Sequence, residues 1–219
     1  MANYHLEIQN VVNTALAELE AEHKAGKLAN APVANNHFLV HWVTKALKAQ
    51  RFHRCVGDDL TQWQKAGRSK GTESQLLPTF QRISAYYAHF FAEQEHTPIT
   101  DKQIEAFLDE MEQAGWEVST SEPLVNAGKV QIFTDGQNSL ALCSVQCEAC
   151  FDGERLVKPM NWFVRGHHAG LIEKAFAAGF MVHKQTDYKS NVKYHGEYLI
   201  FPANQGTQLA EIPISFRAN

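Results

Sequence analysis

Long apolar runs are missing from this chain of 219 residues. The longest, Ala175 to Val182, is interrupted by Gly179 and falls far short of the roughly eighteen residues that cross a bilayer. The start, Met1-Ala-Asn-Tyr-His-Leu-Glu7, lacks the basic and apolar blocks of a secretory signal, so membrane insertion and export are not expected and the cytoplasm is the expected location. Cysteine is scarce too. Four cysteines cannot staple a chain of this length, and three of them crowd into Cys143 to Cys150, a spacing better suited to metal or redox chemistry. There is no Gly-rich phosphate loop of either standard spacing, no nucleophile elbow, and no His-carboxylate pair that sequence alone can assemble. No residue is therefore named as catalytic.

What is present is enough for a core: 44% hydrophobic residues, 11% of the chain aromatic. The net charge of −4 hides a segregation. Residues 41–92 hold eight Lys/Arg against three Asp/Glu, and residues 93–122 hold nine Asp/Glu against Lys102 alone.

Helical periodicity runs through Ile8, Val11, Val12, Ala15, Leu16 and Leu19, predicting a helix over 4–24. After a connector containing Pro32, a second helix is expected over 36–51, with Phe38, Leu39, Val40, Trp42, Val43, Ala46 and Leu47 on its apolar face, where Phe38 and Trp42 read as core rather than base-stacking platforms, and His37, His41, Thr44, Lys45, Lys48 and Arg51 opposite. A third helix carries Val56, Leu60 and Trp63, and Gly67-Arg-Ser-Lys-Gly71 reads as a loop. Thr72-Glu-Ser-Gln75 and Thr100-Asp-Lys-Gln103 resemble capping boxes for a fourth and a fifth helix, the latter stopping at Gly115.

Beyond that point the period shortens to two. Lys129–Phe133 and Ser139–Leu142 read as a hairpin. Phe107–Val118 matches Leu171–Val182 at a constant offset of 64, with weaker likeness continuing to Leu209-Ala210. The expectation is an α+β protein with a helical domain over 1–98 and an α+β domain over 99–219. The second domain is read as two helix-strand-hairpin units on a mainly antiparallel sheet, with an internal repeat of 99–145 and 165–215 as one reading of their likeness. A helix closed by Ala-Gly before a strand is also generic grammar.

Three constellations carry chemical readings. Cys147-x2-Cys150 followed by His167 and His168 offers the ligand types of a structural zinc site, against which stands a reading of unligated thiols. Cys143, Cys147 and Cys150 also have the spacing of a radical iron–sulfur cluster, but too little chain follows for the barrel such enzymes need. His37 and His41 stand at i, i+4 without the glutamate of a zinc protease, beside cations that oppose metal accumulation.

The cations Lys45, Lys48, Arg51, Arg54, Lys65, Arg68 and Lys70 make a candidate surface for nucleic acid or an acidic protein, if they gather and face water. The competing reading is a solvated helix face neutralised by the acidic stretch. The function expected from this is non-enzymatic binding or regulation; a protein-interaction module with a structural zinc, or a small enzyme using His167, His168, His183 and His195, are the alternatives.

The runs Ala31-Pro-Val-Ala-Asn-Asn-His-Phe-Leu-Val40, Leu60-Thr-Gln-Trp-Gln-Lys-Ala-Gly67, Phe133-Thr-Asp-Gly-Gln-Asn-Ser-Leu-Ala-Leu142 and Pro159-Met-Asn-Trp-Phe-Val-Arg-Gly166 resemble a gammaproteobacterial family of proteins of unknown function. The resemblance covers essentially the whole chain. It implies a bacterial cytosolic setting and brings no activity or ligand.

Overall fold

The computed structural model describes residues 3–92, 97–126, 129–130, 132, 134–189 and 194–217. Two compact units divide the chain: Met1–Gln94 with Thr207–Ile212 and Phe216–Asn219, and Glu95–Gly206 with Pro213–Ser215. The α+β class read from the sequence is observed.

The helical unit contains α1 (Tyr4–Lys24), α2 (Pro32–Lys48), α3 (Gly57–Lys70) and α4 (Leu76–Phe91). α1 packs on α4 and α2 on α3. The periodic residues of the sequence form its core: Ile8, Val11, Val12 and Ala15 of α1, Leu39 and Val43 of α2, and Phe80 and Ile83 of α4 are all essentially inaccessible to solvent. Trp63 of α3 tilts against Phe80 with ring centroids 4.7 Å apart. The unit also takes in the end of the chain, where the Ala210 amide donates to Tyr87 Oη at 3.1 Å and Phe216 meets Tyr86 edge-on.

Three local expectations differ from the structure. α2 starts at Pro32, not Asn36, because proline's fixed φ and missing N–H suit the first helical position. α3 runs straight through Gly67, which was expected to be loop. The reason is packing: a Cβ there would lie 2.3 Å from Val40 Cγ2, so only glycine lets α2 and α3 approach this closely. The Thr72/Gln75 capping box does not form; residues 71–74 make a 3₁₀ turn, and Gln75 enters α4 with φ 49°.

The second unit opens with α5 (Asp101–Gln113), where the predicted capping box is present: the Gln103 amide donates to Thr100 Oγ1 and the Thr100 amide to Gln103 Oε1. β1 (Glu117–Ser119), β2 (Val125–Asn126), β3 (Lys129–Val130), β4 (Ser139–Leu142), α6 (Ser144–Cys150), β5 (Phe151–Asp152), β6 (Arg155–Leu156), β7 (Met160–Arg165), α7 (His168–Ala177), β8 (Val182–Lys189) and β9 (Tyr194–Ile200) follow. The main sheet has the order β1-β4-β7-β9-β8, all neighbours antiparallel except β1 and β4. Its core holds Phe107 of α5, Leu171 of α7, Trp162 of β7 and Phe180, with Phe107 and Trp162 stacked at 4.9 Å.

The two helices of the offset-64 likeness close in the same way, as the generic Ala-Gly ending also requires. α5 closes with Gly115 N–H to Glu112 O and Trp116 N–H to Met111 O, and α7 closes with Gly179 N–H to Phe176 O and Phe180 N–H to Ala175 O. The equivalence ends there. Among the described residues the expected first hairpin does not form: β3 pairs with β2, β4 lies between β1 and β7, and residues 131 and 133 are outside the described residues. β8 instead makes a true antiparallel hairpin with β9.

Candidate nucleic-acid interface

α2 and α3 run antiparallel, because Val40 meets Gly67 near one end and Thr44 meets Gln64 further along. Thr44 is the polar hub of this pair. Its Oγ1 donates to the Val40 carbonyl at 2.7 Å and accepts from Gln64 Nε2 at 2.9 Å and Arg68 Nη2 at 3.3 Å. Lys45 and Lys48 lie within about one helical turn of Thr44 along α2, Lys65 adjoins Gln64 along α3, and Arg68 bonds Thr44 itself. Lys45, Lys48, Lys65 and Arg68 are all exposed.

The other three basic positions are not part of that group. Arg54 precedes α3 and Lys70 ends it, roughly 24 Å apart along the axis. Arg51 is engaged within the fold. Its Nη2 donates to Glu18 Oε1 at 2.6 Å, and its guanidinium lies over the rings of Trp42 and Phe52 at 5.4 and 5.5 Å. Glu18 also accepts from Trp42 Nε1 at 2.6 Å. The hydrogen bond from Arg51, aided by that from Trp42, holds the Glu18 carboxyl below the ordinary carboxylate range. Of the seven cations, only Arg51 has an ion pair among the described residues.

This lock was missed from the sequence. The partners are separated by 24 and 33 residues, and the one available signal was that a buried indole N–H needs an acceptor. Gln50, with φ 47°, ends α2 and turns the chain so that Arg51 comes back over Trp42. Beside the lock, α1 and α2 leave a groove of about 460 Å³ lined by Glu18, Ala21, Glu22, Phe38, His41, Trp42, Lys45, Ala46, Ala49 and Arg51.

The metal candidates are dispersed. Cys150 Sγ donates to the Pro159 carbonyl at 3.3 Å, at the start of β7, whereas His167 and His168 follow its end. Strand β7 separates the two pairs along the chain. Burial raises the Cys147 thiol to about 11, with the neighbouring Cys150 and Cys143 thiols adding to the shift. His168 Nδ1 lies 2.9 Å from Tyr198 Oη, and His167 packs on Gly170, where a Cβ would come within 2.6 Å of its ring. His37 and His41 are exposed. No group of three or more His, Cys, Asp or Glu side chains is placed to hold a metal ion among the described residues.

Of the histidines offered for an enzyme site, His168 lies against Gly196 of β9. His183 is buried edge-on to Phe201 at 5.0 Å and against Gly206; the side chain of His195 is outside the described residues. No helix among the described residues is long and apolar enough to cross a membrane.

Residues 3–213 match the model of a family described as "Protein of unknown function (DUF2913)". The chain belongs to that family. DUF2913 membership spans both units and carries no statement of activity. No curated protein and no solved structure matches the chain.

Proposed function

We propose that the helical unit of this DUF2913 protein is a non-enzymatic binding module for a polyanion, nucleic acid in the first instance, with the gammaproteobacterial cytosol as its setting. The observation that supports this reading is that Lys45 and Lys48 of α2 and Lys65 and Arg68 of its packed neighbour α3 are all exposed and none is in an ion pair among the described residues. Phosphate contacts need several cations at fixed spacing on a firm scaffold. Two packed helices supply that scaffold. Arg51 contributes by holding the end of α2 against α1, and its own charge is spent on Glu18.

Binding of a labelled DNA duplex at low salt, followed by fluorescence anisotropy, tests the reading. The natural chain binds, and a variant carrying Lys45→Glu, Lys48→Glu, Lys65→Glu and Arg68→Glu loses most of that affinity while keeping its helical circular dichroism. Equal binding by the two proteins would remove the cluster from the account. If only an acidic protein bound, the polyanion would be a protein partner instead.

A further inference from the structure

Lys45 belongs to two surfaces at once: it stands in the cation cluster, and it lines the groove between α1 and α2. We infer, resting on the polyanion reading above, that this groove receives an unstacked base of a single-stranded nucleic acid while the adjoining phosphates lie along Lys45 and Lys48.

The groove's volume of about 460 Å³ falls among pockets that hold small organic ligands. It stays open because Ala21, Ala46 and Ala49 contribute only methyl groups where two helices would otherwise interdigitate. Phe38, half-buried, offers a ring to the opening, and Trp42 beside it is fixed by its bond to Glu18. An aromatic surface suits any base, since every base has a π face.

Charge sets the orientation. His41 and Lys45, one turn apart on α2, form one lip, and Glu22 of α1 lies on the other. Glu22 repels phosphate and so confines the backbone to the α2 lip, where Lys48 extends the row. Glu18 repels less, its two oxygens being taken by Arg51 and Trp42. A duplex keeps its bases stacked and paired and can offer only phosphates to this surface, so the cluster accepts either form and the groove only a single strand.

The test uses the intact chain with a fluorescein-labelled oligothymidylate and a duplex of equal length, at low salt. Single strand should bind more tightly than duplex. Phe38→Leu, which keeps apolar bulk and removes the ring, should lower single-strand affinity about tenfold and leave duplex affinity unchanged. Ala49→Leu, filling the groove from an exposed position, should do the same without touching the cations. The inference is overturned if both forms bind equally, or if neither substitution separates them in a protein of unchanged melting temperature. Should the natural chain bind neither form, the polyanion reading fails first and takes this one with it. Duplex binding that depends on the cluster, without preference for single strands, sinks the groove alone.

Discussion

Asp59 is the carboxylate most at odds with its surroundings in the helical unit. It lies half-buried in the first turn of α3 and accepts a hydrogen bond from Tyr4 Oη at 2.8 Å. Burial raises its carboxyl above the ordinary range, and the bond from Tyr4 offsets only part of the rise. A carboxyl raised in the folded state favours folding when protonated, and that contribution is lost as pH rises through the raised value. Asp59→Asn keeps an acceptor for Tyr4 and removes the charge. Its stability relative to the natural chain should therefore increase from acid to neutral pH, read from melting temperatures across that range; a difference independent of pH would contradict the assignment. Cys147 gives a second check. With its thiol raised to about 11, alkylation of half-buried Cys147 by iodoacetamide at neutral pH should run on the order of a hundredfold slower than for a free thiol, and fast modification would contradict the raised value.

At the scale of the elements, Gly67 decides how α2 and α3 meet. Gly67→Ala forces a methyl against the stiff Val40 side chain and should cost about 1–3 kcal/mol in chemical denaturation. Val40→Ala in the same chain should recover part of that loss, which a double-mutant cycle measures; strict additivity would show that the two residues do not meet. The same position marks where the sequence could and could not be read. Apolar spacing located α1 to α5 because burial imposes the helical period. Gly67-Arg-Ser-Lys-Gly71 looked like a loop because glycine's local signal is the same whether it breaks a helix or admits a neighbour. The first hairpin was misread for a related reason. Alternation shows that Ser139–Leu142 is a strand, and nothing local says that its partner is β1 in parallel rather than the preceding segment.

For the molecule as a whole, the chain divides its charges: cations dominate residues 41–92 and carboxylates residues 93–122. That segregation was legible from the sequence, as was the candidacy of each basic residue. Their grouping was not. The helical wheel put Arg51 beside Lys45 and Lys48 as an equal, whereas Glu18 and Trp42 claim it; Arg68, which sequence placed in a loop, joins the cluster through Thr44. Cys147, Cys150, His167 and His168 were close enough in sequence to suggest one metal site, whereas among the described residues Cys150 bonds the Pro159 carbonyl, His168 meets Tyr198, and no such group is placed to hold an ion. In both cases sequence spacing stood in for distance, and long-range packing set the distance.

The central claim is that the four exposed cations of α2 and α3 act together on phosphates. The salt dependence of DNA binding measures this most directly. For duplex DNA, the logarithm of the association constant should fall linearly with the logarithm of salt concentration, and replacing Lys45, Lys48, Lys65 and Arg68 by glutamine should make the slope shallower by about 3–4, close to 0.9 per lost phosphate contact. A slope the four substitutions leave unchanged, or binding indifferent to salt, would contradict the account.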